Sequence, residues 1–173
     1  MRRTFLALMV VLALVGTLSA QSAEKTPVLT PQDYMDIQQL FAKYYQSYDS
    51  GKADEWASVF TPDGQFNNVK GTEALKRQIQ NTTAKGTNLR HWQSQLLLTP
   101  VPGGVQAKVY VIQFDITAKP ITPASFSRYD DLLVKTADGW KFKEKMRSSD
   151  TTLGNQGANG GARGAGAPPT RQP

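Results

Sequence analysis

The chain contains no cysteine and only one histidine, His91, among its 173 residues. Without thiols there is no disulfide framework, no thiolate nucleophile, no iron–sulfur ligation and no zinc site built on sulfur. One imidazole excludes any site that needs two. No spacing sets His91 beside carboxylates in the manner of a metal site, so no metal is expected. A Gly-rich phosphate loop, a nucleophile elbow and an internal repeat are also missing. The longest apolar run, Phe5 to Val15, has eleven residues, well short of the roughly 20 that a spanning helix needs.

That run follows Met1-Arg2-Arg3 and precedes Gly16-Thr17-Leu18-Ser19-Ala20-Gln21-Ser22. A basic start, a short greasy stretch and a small-residue exit predict a secretory signal peptide over residues 1–22. The mature protein is expected to be exported, periplasmic or secreted, with no membrane contact after cleavage. At the other end, residues 151–173 hold six glycines and three prolines with Leu153 as the one large apolar side chain. Such a segment buries too little surface to offset its ordering entropy and is expected to be a disordered tail.

The formal charge of +6 invites a nucleic-acid reading, but Arg2, Arg3, Arg163 and Arg171 lie in those two end segments. Setting these four aside leaves +2 for the residues between. A core so near neutrality lacks the electrostatic footprint of a nucleic-acid binder, and no such partner is expected.

The remainder, residues 23–150, is long enough for one domain. Thr30-Pro31-Gln32-Asp33 supplies a capping hydroxyl, a proline at the first helical position and a carboxylate three residues after the cap. Ile37, Leu40, Phe41, Tyr44, Tyr45 and Tyr48 then recur at helical spacing, with Gly51 as the stop. A short helix is predicted over 54–60, a turn at Pro62-Asp63-Gly64, a short strand near Phe66 and a third helix opening at Gly71-Thr72. From about Asn88 the period becomes extended. Strands are predicted over 89–98, 105–117, 126–135 and 140–146, the last two closed at Ala137-Asp138-Gly139. Helices first and long strands afterwards predict an α+β domain, three N-terminal helices packed on a curved, mostly antiparallel sheet.

Several segments in this order carry a resemblance. They are Tyr48-Asp49-Ser50-Gly51 before a Trp-bearing helix, Phe60-Thr61-Pro62-Asp63-Gly64 after it, Leu89-Arg90-His91 opening a strand, and Arg128-Tyr129-Asp130-Asp131 leading to Asp138-Gly139-Trp140-Lys141-Phe142. Together they resemble the SnoaL-like family of the nuclear transport factor 2-like superfamily, which includes ketosteroid isomerase and scytalone dehydratase. The resemblance spans residues 30 to 147 and implies a cone-shaped barrel with a pocket between helices and sheet.

Carried over residue by residue, the Tyr-Asp pair of the dehydratase corresponds to Tyr48 and Asp49, and the hydrogen-bonding tyrosine of the isomerase to Tyr44. The isomerase's catalytic aspartate falls near Asn68, which cannot act as a base. The dehydratase's polar strand positions correspond to His91 or Gln93, Asp115 and Asp130. Asp49, His91 and Tyr48 are thus the catalytic candidates, and Tyr44, Asn68, Gln93, Asp115 and Asp130 the ligand-binding ones.

The residues themselves leave alternatives open. A carboxylate at a helix C-terminus opposes the dipole, so Asp49 is either a recruited base or a plain turn residue. Asp130 is a pocket residue or the partner of Arg128. Strict alternation puts Leu89, His91, Gln93, Gln95 and Leu97 on one face and Trp92, Ser94, Leu96 and Leu98 on the other. The resemblance implies a conical pocket for a small, apolar or aromatic molecule, with cofactor-independent lyase or isomerase chemistry. The competing expectation is a non-catalytic ligand-binding or dimerising module, a homodimer formed through the Trp92, Leu96 and Leu98 side.

Overall fold

The structure, a computed structural model, describes residues 24–84 and 88–152. The predicted leader therefore lies outside the described residues, as does the predicted tail from Leu153 onward. Thr151 and Thr152 are not tail: they finish the last strand.

Helix α1 (Pro31–Asp49) starts as its sequence requires. The Thr30 hydroxyl accepts from the Asp33 amide, and the Asp33 carboxylate reaches back to the Thr30 amide, closing a capping box. Asp33 is itself buried, accepting from Trp140 Nε1 at 2.9 Å and Lys135 Nζ at 2.7 Å. The Lys135 ammonium, then the Thr30 and Trp140 donors, hold its carboxyl well below the usual carboxylate range. One residue thus starts the helix and pins it to the distal hairpin. Helices α2 (Ala53–Ala57) and α3 (Thr72–Thr83) complete the helical layer.

The strands are β1 (Phe60–Phe66), β2 (Val69–Lys70), β3 (Leu89–Val101), β4 (Gly104–Asp115), β5 (Thr122–Thr136) and β6 (Gly139–Thr152). They form one sheet in the order β2-β1-β6-β5-β4-β3, with β2 and β3 as edges. All pairs are antiparallel except β1 with β6. The sheet is curved but not closed. Pro62-Asp63-Gly64, predicted as a turn, sits inside β1. The register jumps there, from Phe60 opposite Phe142 to Gln65 opposite Glu144, so the turn chemistry is spent on a bulge within a strand.

Two further bulges decide which side chains face the helices. In β3, Leu97 to Val101 pair with β4 in one register and Leu89 to Ser94 in another, with Gln95 at φ 56° as the extra residue. Side-chain phase inverts across it: His91 and Gln93 face inward with Leu96 and Leu98, while Trp92, Ser94 and Leu97 face out. In β6 the register shifts between Phe142 and Glu144, so buried Phe142 is followed by inward Lys145 and Arg147.

Beneath the sheet lies an aromatic cluster of Phe41, Tyr44, Tyr45, Trp56, Phe60, Phe66 and Phe142. Tyr44 is at its centre, with ring centroids of 4.9 Å to Tyr45, 5.4 Å to Phe142 and 5.6 Å to Trp56. A fully buried ion pair is embedded in it. Lys145 Nζ donates to Asp131 Oδ2 at 2.6 Å, both side chains having no exposed surface. The rings of Phe41, Tyr44, Tyr45, Tyr129 and Phe142 surround the ammonium at 4.4 to 5.5 Å. Desolvation pushes the Asp131 carboxyl up to about 6, against the pull of Lys145, and pushes the Lys145 ammonium down. Cation–π attraction offsets part of that cost.

Removing one partner leaves the other charge buried alone. Lys145→Met is expected to destabilise by about 3–5 kcal/mol, whereas Lys145→Met with Asp131→Val is expected to recover most of that loss. Urea unfolding of Lys145→Met, Asp131→Val and the double variant checks this, and a double variant no more stable than the sum of the two singles predicts would contradict it.

Candidate active site

The inner face of the sheet reads as rows across the strands. At the open end of β3 to β5, His91 sits opposite Gln113, and Gln113 opposite Ser125. The next rows inward hold Gln93, Val111 and Ser127, then Val109, Tyr129 and Arg147, then Ala107, Asp131 and Lys145. Polarity is thus concentrated at one end of the sheet, the end to which the C-terminus of α1 delivers Asp49.

Asp49 reaches across to β3 with both oxygens. Oδ2 accepts the His91 backbone N–H at 3.0 Å, and Oδ1 lies 2.5 Å from His91 Nδ1. These two donors are the reason a carboxylate is tolerated at a helix C-terminus. The His91 side chain is 4% exposed, with the Tyr45 and Tyr48 rings at 5.4 and 5.0 Å. On its far side, His91 Nε2 lies 2.8 Å from Gln113 Nε2, and Gln113 Oε1 accepts from Ser125 Oγ at 2.5 Å.

Read along its donors, the chain is self-consistent. The Ser125 hydroxyl donates to the amide oxygen, the amide N–H donates to Nε2, and Nδ1–H donates to the carboxylate. In this orientation of the Gln113 amide, the ring proton is on Nδ1 and the lone pair on Nε2.

Next to this chain is a cavity of about 210 Å3, lined by Tyr48, Phe66, Asn67, Gln78, His91, Gln113, Tyr129 and Arg147. Asn67 takes its place in the wall through a left-handed backbone at φ 50° in the β1–β2 turn. Its Oδ1 accepts the Arg147 amide at 2.8 Å, and its own amide donates to the Lys145 carbonyl at 2.9 Å. Burial raises the Tyr48 phenol, with the Thr82 hydroxyl and Arg147 pulling the other way. Burial likewise raises Tyr129, against the pull of Arg147. Both phenols therefore stay protonated near neutral pH and can donate. Gln78 Oε1 is buried in this wall without a donor.

The three catalytic candidates Asp49, His91 and Tyr48 come together here. None of the ligand-binding candidates lines the cavity. Gln93 faces inward one row away, half-buried, outside the cavity lining. Tyr44 is packed in the aromatic cluster beneath, 1% exposed. Asn68 is exposed; its neighbour Asn67 is the one that turns inward. Asp115 lies at the end of β4, where its carboxylate accepts the Thr117 hydroxyl at 2.6 Å and amide at 2.8 Å, bonds that lower its pKa. Asp130 is on the outer face, bonded to Gln106 at 2.9 Å and near Lys108 at 3.4 Å. Arg128 pairs with Asp150 at 2.8 Å rather than with Asp130. The structure thus leaves all five, Tyr44, Asn68, Gln93, Asp115 and Asp130, outside the cavity lining. Gln113, Ser125, Asn67, Tyr129 and Arg147 take the places that sequence reasoning had assigned elsewhere. Among the described residues, no three His, Asp or Glu side chains converge on a common point where a metal could sit.

No curated protein matches the chain significantly. Solved structures do. A Catenulispora acidiphila protein, in complex with S-DNPA, is 26% identical with a TM-score of 0.61, covering 70% of this chain and 96% of that one. ActVI-ORFA from Streptomyces coelicolor is 19% identical with a TM-score of 0.63, covering 70% and 98%. A Novosphingobium aromaticivorans protein named for scytalone dehydratase is 18% identical with a TM-score of 0.59, covering 70% and 86%. The profile of the SnoaL-like domain matches residues 30–145, and the chain belongs to the SnoaL-like domain family.

Proposed function

We propose that this is an exported, cofactor-independent enzyme of proton transfer, a lyase or isomerase acting on a small cyclic molecule. The observation that carries the reading is the part-buried Asp49, His91, Gln113 and Ser125 chain, whose middle members His91 and Gln113 line the cavity. The volume of about 210 Å3 exceeds the roughly 150 Å3 that accepts a benzene, so a single substituted ring is the natural occupant. That a relative of 26% identity is solved in complex with S-DNPA supports a small-molecule pocket in this fold.

The chemistry follows from which atoms are free. Asp49 keeps Nδ1–H in place and leaves Nε2 as the base. A substrate C–H beside a carbonyl displaces Gln113 from Nε2, the proton moves to Nε2, and the C–H electron pair becomes the enolate. The protonated Tyr48 hydroxyl donates to the enolate oxygen. The imidazolium then returns its proton to another carbon in an isomerisation, or to a departing β-hydroxyl that leaves as water in a dehydration.

One observation favours a second reading, binding without turnover: Gln113 already occupies the Nε2 lone pair. The two part company on proton exchange. Cyclohex-2-enone in D2O is expected to exchange its α-protons faster with the protein than without it. His91→Gln is expected to reduce that acceleration by about 100-fold or more, with Asp49→Asn also impaired. Binding of the ketone with no exchange would establish the second reading, and equal exchange by His91→Gln would refute the first.

We also propose that two copies pair through the outer face of the sheet. Trp92, Leu97 and Tyr110 are 67%, 61% and 53% exposed there, beside a groove bordered by Lys108, Arg128 and Asp130. Large apolar side chains left exposed on one sheet face beside charged groups are a feature of association surfaces. Trp92→Asp is expected to turn a dimer into a monomer in sedimentation equilibrium without changing the fold, and a monomeric wild type would overturn the proposal.

A further inference from the structure

Arg147 is the one charged side chain in the cavity lining, and among the described residues no carboxylate lies within ion-pair distance of it. The acids nearby already have partners: Asp49 holds His91, Asp131 holds Lys145, and Asp150 holds Arg128. Half-buried guanidinium groups are normally matched by an anion, because desolvation makes an uncompensated charge costly. Its position is also fixed. The backbone N–H donates to Asn67 Oδ1 at 2.8 Å, and Nε donates to Ser127 Oγ at 2.9 Å. With Nε engaged, the terminal nitrogens, which also face the Tyr129 hydroxyl, are the part of the fork left to meet a ligand.

The rest of the wall agrees. It holds the protonated phenols of Tyr48 and Tyr129 and no carboxylate, so a bound anion meets two hydroxyl donors and no like charge. The bulge that inverts side-chain phase in β6 is what turns Arg147 inward; an unbroken strand would have offered Met146.

We propose that Arg147 is a specificity-determining residue that selects a carboxylate, and that the natural ligand is a small cyclic or aromatic acid. The proposal rests on the reading of this cavity as the ligand site and deepens it. A carboxylate matches the planar fork with two parallel hydrogen bonds. One end of the ligand is thereby anchored at Arg147 while its ring lies toward His91. An entirely apolar occupant would leave the terminal guanidinium nitrogens without an anion, which disfavours it.

Three isosteric probes of different charge test this: benzoate, benzamide and benzamidinium. His91 is the lone histidine, so its imidazole resonances report on the cavity without assignment ambiguity. Titrations of the purified protein are expected to give benzoate an affinity about tenfold or more above benzamide, with benzamidinium weakest. Arg147→Gln is expected to abolish the difference and Arg147→Lys to keep part of it, with His91 resonances and thermal unfolding confirming that both variants are folded. Equal binding of benzoate and benzamide, or a benzoate preference that survives Arg147→Gln, would overturn the role of Arg147 while leaving the cavity reading intact. If none of the three perturbs His91 at its solubility limit, both readings fall.

Discussion

The contact between Asp49 and His91 joins the last residue of the first helix to the exposed edge strand of the sheet. Everything at the open end of the molecule depends on it. It gives a helix-terminal carboxylate two donors, holds the start of β3 against the helical layer and fixes which imidazole nitrogen faces the cavity. Through Gln113 and Ser125 the same polarity passes along a row perpendicular to three strands. A side chain's place in the sheet register, more than its chemical type, decides whether it joins this chain.

Polarity on the inner face is graded. At the closed end, Val105, Leu133 and Phe142 have no exposed surface and pack as an ordinary apolar core. Midway stands the Lys145–Asp131 pair in its cage of rings, and beyond it come Tyr129, Arg147 and the His91 row. The buried pair is costly on its own, and its worth lies in specificity. A charged couple at the boundary between greasy base and polar mouth admits few alternative packings, and it brings β5 and β6 into a single register there. Tyr45 Oη and Asp131 Oδ1 remain without hydrogen-bond partners in this zone, so the boundary is not fully satisfied.

Much of the fold was legible in the sequence because local rules dominate there. Thr30, Pro31 and Asp33 announce α1, and the spacing from Ile37 to Tyr48 gives its buried face. The turn at Ala137-Asp138-Gly139 closes the last hairpin. Asp49 was conspicuous as an acid at the wrong end of a dipole, and His91 as the lone imidazole on a strand. What strict alternation misjudged were the bulges. Without the extra residue at Gln95, Leu97 would share the face of His91; with it, Leu96 and Leu98 do, and His91 falls opposite Gln113. The irregularity before Lys145 likewise sends Arg147 inward. Neither bulge is marked by glycine or proline, and each is set by long-range pairing that hydrophobic period cannot report. Asn67 displaced Asn68 for a similar reason, since the turn geometry chooses which of two identical side chains points in.

The most direct test of the central claim is 15N NMR of the His91 ring at neutral pH, in the wild type and in Asp49→Asn. A neutral imidazole with its proton on Nδ1 and a bare Nε2 in the wild type, lost or mixed in the variant, is the predicted result. A proton on Nε2, or a tautomer indifferent to Asp49, would contradict it.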